Sequence, residues 1–402
     1  MSELRPSAGP EGEILLGIRC SAHAVADVDI GSTRPVHASR LFIGKRPEEA
    51  LKLVPLLFAL CGTAQVRSAV VACERALGIR VPHRVAAARQ LLVHLETARE
   101  HLWRISMDWP ALCEVPPNPE PVARVAALLN DLRAELCVDG DLFAMGAVLD
   151  REMRQGIRDT IERLRDLLGR ELFGMSPDEF SGIRDSAGLD AWARTAGPGP
   201  ALIPWVAERG WGGLIPDGVV PLTILDESEL KERFGRPEAD DFLARPRWRG
   251  EVRETGPYTR CLSRPLVRSL RETGDGLLAR LAARLVELAE MPGVLSGLLD
   301  RLEIDGCVGE DAREADGTGL AQTEAARGRL IHYVRVSDGV IREFRVLAPT
   351  EWNFHPQGVL ARALGALSDE GRERLEIKIR LVASAIDPCV GYRVQIDRPD
   401  SE

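Results

Sequence analysis

The clearest hydrophobic pattern in the chain lies at residues 83–107. There Ala88, Leu91, Leu95, Ala98, Leu102 and Ile105 recur at alternating steps of three and four. That spacing predicts one apolar face of an amphipathic helix. Upstream, the segment at 47–65 starts with a proline and two acids, which suits a helix N-terminus. Val66 to Leu77 predicts a further helix, stopped at Gly78. Residues 14–30 are β-rich and of mixed polarity, so they read as a strand and its return. The prolines of EVPPNPEP (114–121) exclude both helix and central strand, and helical patterning resumes over 122–172.

Residues 174–260 are different, because Gly, Pro, Trp and Arg dominate them. They read as an irregular layer wrapped over a core, or as an insertion; the tryptophans favour a folded layer. Helices return at 265–302, followed by the acidic, Gly-rich EIDGCVGEDAREADGTG. Leu330 to Ser337, the pair Asp338-Gly339, and Val340 to Leu347 predict a β-hairpin with a favoured two-residue turn. Ile377, Ile379 and Leu381 alternate with Lys378 and Arg380, which predicts one more short strand. The expected fold class is therefore α+β and mainly helical, with strand-rich N- and C-terminal portions around a helical core. There is no internal repeat.

Composition narrows the function classes. The chain has 402 residues, with 61 acidic and 52 basic side chains and a net charge of −9. An acidic balance argues against a general nucleic-acid binder, which needs a basic footprint. Apolar residues make up 45% but aromatic ones only 5%, so the core should be mostly aliphatic. No apolar run approaches the roughly 20 residues that span a bilayer, and Met1 to Glu13 has no apolar signal core. A cytoplasmic protein with no membrane partner is expected. The eight cysteines are Cys20, Cys61, Cys73, Cys113, Cys137, Cys261, Cys307 and Cys389, scattered and without a C-x-x-C pair. In a reducing compartment these are free thiols.

Two segments give those thiols a context. The first is LFALCGTAQVRSAVVACERALGIRVPHRVAAARQLLVHLETAREHLWRISMDW (57–109); the second is EAARGRLIHYVRVSDGVIREFRVLAPTEWNFHPQGVLARALGAL (324–367), with the later AIDPCVGYRVQ (385–395). In order and spacing they resemble the large subunit of nickel–iron hydrogenases. That family has R-I-C-G-V-C-x-x-x-H near its start, then A-P-R-G and P-T-T-W-N elements, and D-P-C-x-x-C-x-x-H at its end. The resemblance covers about half the chain, at both ends, while residues 110–320 match only in general character. It implies a single large hydrogenase-large-subunit-like domain over 1–402, with the irregular layer at about 174–260.

The departures from the family pattern carry the functional expectation. In the family, the first cysteine of each pair is a terminal nickel ligand and the second bridges nickel and iron. Here Cys61 persists, but Ala64 and Ser68 stand where the second cysteine and the histidine are expected. At the other end Asp387-Pro388-Cys389 persists, but Tyr392 and Gln395 replace the partner cysteine and histidine. Nickel and low-potential iron need soft thiolates at these places. With both bridging positions lost, no complete nickel–iron centre and no hydrogenase activity are expected. The sequence ends at Glu402, shortly after Cys389, so the protease-removed extension of active members is not expected either.

Other positions keep their family identity. Arg327 matches the arginine that covers the diatomic ligands of the iron, with Ala326 in place of the preceding proline. A planar guanidinium with a permanent charge and fixed donors suits that role. Pro349 and Thr350 match the element lining the cyanide and carbonyl pocket, and Thr350 has a hydroxyl to donate to a cyanide nitrogen. Glu96 falls where the family helix has an aspartate near the site.

This pattern resembles one branch of the family, the accessory proteins of the HupK or HoxV type. The resemblance implies a non-enzymatic maturation protein: a scaffold or carrier for the Fe(CN)2CO fragment before its transfer to the immature large subunit. Metal ligands would be Cys61 and Cys389, with Arg327, Pro349 and Thr350 forming the pocket. Expected partners are hydrogenase maturation chaperones and the immature hydrogenase large subunit. The alternative is a metal-free interaction protein that binds maturation factors and keeps the cysteines as vestiges.

Several other candidates have plainer readings. His94 and His101 share one helix face but stand seven apart, whereas paired helical ligands are normally three or four apart. Cys20-x-x-His23 is a two-ligand fragment, and zinc needs three or four. The acidic stretch 303–316 lacks the twelve-residue calcium pattern. Trp352 and Asn353 suit packing and turn roles as well as ligand contact.

Overall fold

We describe a computed structural model of the chain, covering residues 12–21, 24–34, 37–58, 60–138, 140–149, 154–195, 200–218, 220–304, 306–308 and 317–398. His23, the leading residues 1–11 and residues 309–316 of the acidic stretch lie outside the described residues.

Strands β1 (Ile14–Cys20) and β2 (Val25–Ser32) form the expected antiparallel pair. Every second residue of β1 is buried, which places Ile14, Leu16 and Ile18 in the core. Helix α1 (Pro47–Leu57) opens on Pro47, Glu48 and Glu49 and ends earlier than the sequence implies. Helix α2 (Gly62–Ala76) begins at Gly62, so the break between the two falls before Gly62, not after Gln65. The start at Gly62 is fixed by an acidic side chain from the next helix, which accepts from the Thr63 and Ala64 N–H groups.

Helix α3 (His83–Trp103) runs into a wider turn over Arg104–Asp108. All six residues of its apolar repeat are at most 1% exposed. Helices α4 (Glu120–Leu136) and α5 (Arg154–Leu167) pack nearby, α4 against α3 and α5 against both α4 and the 26-residue α6 (Gly276–Arg301). Between α5 and α6 the chain makes short helices, among them Ser186–Ala193, Leu202–Glu208 and Glu227–Phe234. Trp192 packs edge-on to Phe180, and its indole N–H donates to the Phe173 carbonyl at 2.9 Å. The tryptophans here therefore serve a folded layer.

A three-stranded antiparallel meander follows: β3 (Thr318–Ala325), β4 (Gly328–Ser337) and β5 (Val340–Leu347). The β4–β5 turn has positive φ at Asp338 (54°) and Gly339 (75°), as a twisted two-residue hairpin requires. Strand β3 was not anticipated, since its sequence TGLAQTEA carries few strong strand formers.

After α7 (Pro349–Asn353), the expected strand at 377–381 is instead part of α8 (Arg372–Ile386). Leu375, Ile379, Val382 and Ile386 all turn inward at steps of four, three and four. That period outruns the short alternation. Lys378, which would have faced solvent in a strand, is 3% exposed and pairs with Glu370 at 2.7 Å. Finally β6 (Tyr392–Asp397) joins β1 in parallel, giving the sheet order β2-β1-β6. The two ends of the chain thus meet in one sheet, and this brings Cys389 back to the region of Cys61.

Candidate functional site

Cys61 stands at the N-terminal boundary of α2, just before Gly62. The first N–H groups of a helix have no internal partners and favour negative charge. Glu96, from α3, fills that need: its carboxylate accepts from Thr63 N–H at 2.8 Å and Ala64 N–H at 3.0 Å. Burial pushes the Glu96 carboxyl up, and the two N–H bonds oppose it. The thiol is therefore held by a helix end that another helix clamps.

Cys389 follows α8. There Asp387 adopts a left-handed conformation (φ 67°), uncommon outside glycine and tolerated best by Asn and Asp. Thr350, in the first turn of α7, places its hydroxyl oxygen 2.7 Å from Cys389 Sγ and accepts from Cys389 N–H at 3.4 Å. With its acceptor side on that N–H, the hydroxyl is free to donate to the sulfur.

Arg327 lies at the tip of the β3–β4 hairpin, where Ala325 pairs with Gly328 and leaves Ala326 and Arg327 as the turn. Gly328 is required by both backbone and space. Its φ is 130°, and a Cβ would fall 2.5 Å from Thr255 Oγ1. The Arg327 guanidinium is 2% exposed and satisfied on three sides. Nη1 donates to Cys61 Sγ at 3.2 Å, Nη2 meets Glu100 Oε2 at 3.1 Å, and Nε donates to Asp387 Oδ1 at 3.2 Å.

Asp387 gathers two further arginines. Arg104 Nε is 2.7 Å from Oδ1, and Arg284 Nη2 donates to Oδ2 at 3.1 Å. Burial alone would raise this carboxyl, but Arg104, Arg327 and Arg284 together hold it well below the usual carboxylate range. For Arg327, burial acts against the charge, while Asp387, Cys61 and Glu100 outweigh it and keep the cation permanent.

The two thiols, Arg327, Pro349, Ala325 and Ala348 line one cavity of about 130 Å³. Leu56, Leu57, Phe58 and Leu60 form an apolar side of the same cavity. The five residues singled out from the sequence thus converge, although Thr350 reaches the site through Cys389. Burial pushes the Cys61 thiol up to about 12, with Arg327 opposing and Glu96 and Glu100 adding. Among the described residues no group of three or more His, Cys, Asp or Glu is placed to hold a metal ion. The lining of the cavity, among the described residues, holds two thiols and no His, Asp or Glu.

The positions that depart from the family pattern have other employment. Ala64 is 1% exposed in an apolar cluster with Val93, Ala325, Leu330 and Ala348. The buried Ser68 donates to the Ala321 carbonyl at 3.5 Å. Tyr392 opens β6 opposite Ile14, and Gln395 donates to Asp397 at 3.1 Å. His101 is buried against Glu287 at 2.7 Å, and His94 contacts Gln90 at 3.1 Å, so the two histidines share no ligand. Asn353 exchanges two hydrogen bonds with the Thr255 backbone, and Trp352 is fully buried in an apolar cluster.

Glu100, Arg104 and Arg284 were not singled out from the sequence, and Asp387 was noted only as a retained motif position beside Cys389. A signal for part of the set was present: Glu96, Glu100, Arg104 and Asp108 form a charged stripe at steps of four along α3 and the turn that follows it.

Comparison with known proteins places this architecture. The family described as nickel-dependent hydrogenase matches residues 221–391. Solved nickel–iron–selenium hydrogenases share the fold. The reduced-state enzyme from Desulfovibrio vulgaris Hildenborough superposes with a TM-score of 0.65 at 16% identity, covering 92% of this chain and 94% of that one. The reduced, active enzyme from Desulfomicrobium baculatum gives 0.66 at 14% identity, over 92% and 95%. The fold is that of a nickel-dependent hydrogenase large subunit.

Sequence relatives are more specific. The hydrogenase expression/formation protein HoxV of Cupriavidus necator is 33% identical over 382 residues, 91% of this chain and 92% of that protein. HupK of Azotobacter vinelandii, of the same description, is 30% identical over 96% of this chain and 98% of its own length. The uptake hydrogenase large subunit of Rhizobium leguminosarum bv. viciae matches only 40% of this chain and 32% of itself, at 25% identity. The chain belongs to the family of hydrogenase expression/formation proteins that includes HoxV and HupK.

Proposed function

We propose that this protein serves hydrogenase maturation as a transient carrier of an iron fragment bearing its own cyanide and carbonyl ligands. Cys61 and Cys389 bind the iron as thiolates. Arg327 faces the ligands, Pro349 lines their pocket, and Thr350 steadies Cys389. The observation that carries this reading is the convergence of two thiols from opposite ends of the chain on one cavity, with a buried arginine 3.2 Å from Cys61.

The chemistry supports a carrier over a resident centre. Iron that already holds three strong-field ligands needs few protein donors, and two thiolates satisfy its preference for soft ligands. Because the bridging positions are Ala64 and Tyr392, nickel finds no second pair of sulfurs. A cargo held by half a ligand set leaves when a partner offers the full set. Maturation chaperones would deliver the fragment, and the immature large subunit would receive it. No hydrogenase activity is expected of the chain itself. Among the described residues, no helix is long and apolar enough to cross a membrane.

Infrared spectra of anaerobically purified protein, coexpressed with the maturation machinery, test the reading. Cyanide and carbonyl stretching bands that disappear in Cys61→Ala and Cys389→Ala are expected. Absence of bands, together with normal maturation by both variants, would favour the metal-free interaction protein instead.

A further inference from the structure

A second cavity, of about 530 Å³, lies on a different face of α3 from Glu96 and Glu100. Its volume is within the range of small-molecule sites. His83, Ala87, Gln90 and His94 of α3 form one wall, and Gly293, Gly297 and Arg301 of α6 form the facing one. Arg67 of α2 closes the inner end.

The charge of this cavity is one-sided. Arg67 donates through Nη1 to Thr323 Oγ1 at 2.8 Å, while its buried Nε has no partner. Burial, with Arg89 and Arg75 nearby, pushes it down to about 10, so it remains a cation at neutral pH. Among the described residues, neither Arg67 nor Arg301 has a carboxylate partner and no carboxylate lines the cavity. Buried cations elsewhere in the chain behave otherwise: Arg89 pairs with Glu74, and Arg280 with Glu254. Gln90 presents its amide to His94 Nε2, which leaves the ring proton on Nδ1 as a neutral donor. Burial pushes His94 down to about 4.

Apolar surface completes the site. Ala86, Ala87, Val294, Leu298 and Ile304 line the rest. Added Cβ atoms at Gly293 and Gly297 would meet nothing within 4 Å, so the glycines leave open space. Arg67, held by Thr323, and the exposed Arg301, neither paired with a carboxylate among the described residues, match a dianionic head group, and the apolar wall matches an organic body. We propose that this cavity binds a small phosphate monoester, its phosphate met by Arg67 and Arg301 and its organic part against Ala87, Leu298 and Ile304. The site is independent of the cysteine pocket.

Calorimetric titration of the full chain with phenyl phosphate, inorganic phosphate and phenylacetate tests this. Saturable binding of phenyl phosphate is expected, about tenfold or more tighter than either other probe. Arg67→Gln should weaken it by about tenfold or more, since a charged hydrogen-bond donor is lost. Gly297→Leu, which extends into open space and favours helix, should abolish it while the chain stays folded. Cys61→Ala should bind normally. No saturation at millimolar phenyl phosphate, phenylacetate binding equally well, or unchanged affinity in both Gly297→Leu and Arg301→Ala would overturn the assignment. If Arg67→Gln fails to fold, the Gly297 and Arg301 variants still decide.

Discussion

The two thiols and the two positions that the family pattern assigns to bridging cysteines share a neighbourhood but not a chemistry. Cys61 and Cys389 each touch a polar partner, Arg327 and Thr350, and each faces a cavity. Ala64 is sealed in an apolar cluster, and Tyr392 is paired into a sheet. The replaced positions are therefore absorbed into packing, whereas the two retained thiols keep polar partners, a guanidinium at Cys61 and a hydroxyl at Cys389. Cys73 makes the contrast plain: it is fully buried among aliphatic side chains, and burial pushes its thiol up with no arginine to oppose it.

The surrounding of the thiols should break first and most severely. Asp387→Ala removes the carboxylate shared by the buried Arg284 and Arg327 and the half-buried Arg104. Removing one partner of such a cluster costs about 3–5 kcal/mol, and urea unfolding should show a lower midpoint of that size or no folded protein. Next comes the sealed side. Ala64→Cys puts a sulfur into a filled cluster at a cost of about 1–3 kcal/mol. Chemical denaturation measures the cost, and metal analysis should find no stable nickel while Tyr392 remains.

Smaller effects separate the two thiols from each other. Thr350→Val keeps the shape and removes the hydroxyl on Cys389. It should cost about 1 kcal/mol and shift infrared bands of loaded protein without abolishing them. The Cys61 thiol, pushed up to about 12 by burial, is protonated in the empty site at neutral pH. Binding as thiolate must expel that proton, so Cys61 contributes about a tenfold gain in loading for each pH unit of increase below that value. Competition for Co(II), followed through its thiolate charge-transfer absorption between pH 6 and 8, should rise with pH in the wild type. The rise should be shallower in Cys61→Ala.

How much of this was legible in the sequence depends on range. Helix α3 was clear because Ala88 to Ile105 repeat with the helical period, and β4–β5 because Asp338-Gly339 specifies its turn. The alternation at Ile377–Leu381 misled because three residues at period two are too few. Leu375, Val382 and Ile386 outside that window set the true period. Strand β3 was hidden by the acidic, Gly-rich sequence before it, and it exists through pairing with β4. At the site, Cys61, Cys389, Arg327, Pro349 and Thr350 were found through a resemblance of spacing. Arg284 was not, and Asp387 was legible only as a motif position with no role, since a cluster assembled from α3, α6, the β3–β4 turn and the end of α8 leaves no local pattern.

The central claim is that two thiols hold iron that brings its own diatomic ligands. Infrared spectroscopy of anaerobically isolated wild type, Cys61→Ala and Cys389→Ala tests it directly. The account predicts cyanide and carbonyl bands in the wild type and none in either variant, with both variants folded. Bands of equal strength in the variants, or wild type free of bands when the maturation machinery is intact, would contradict it.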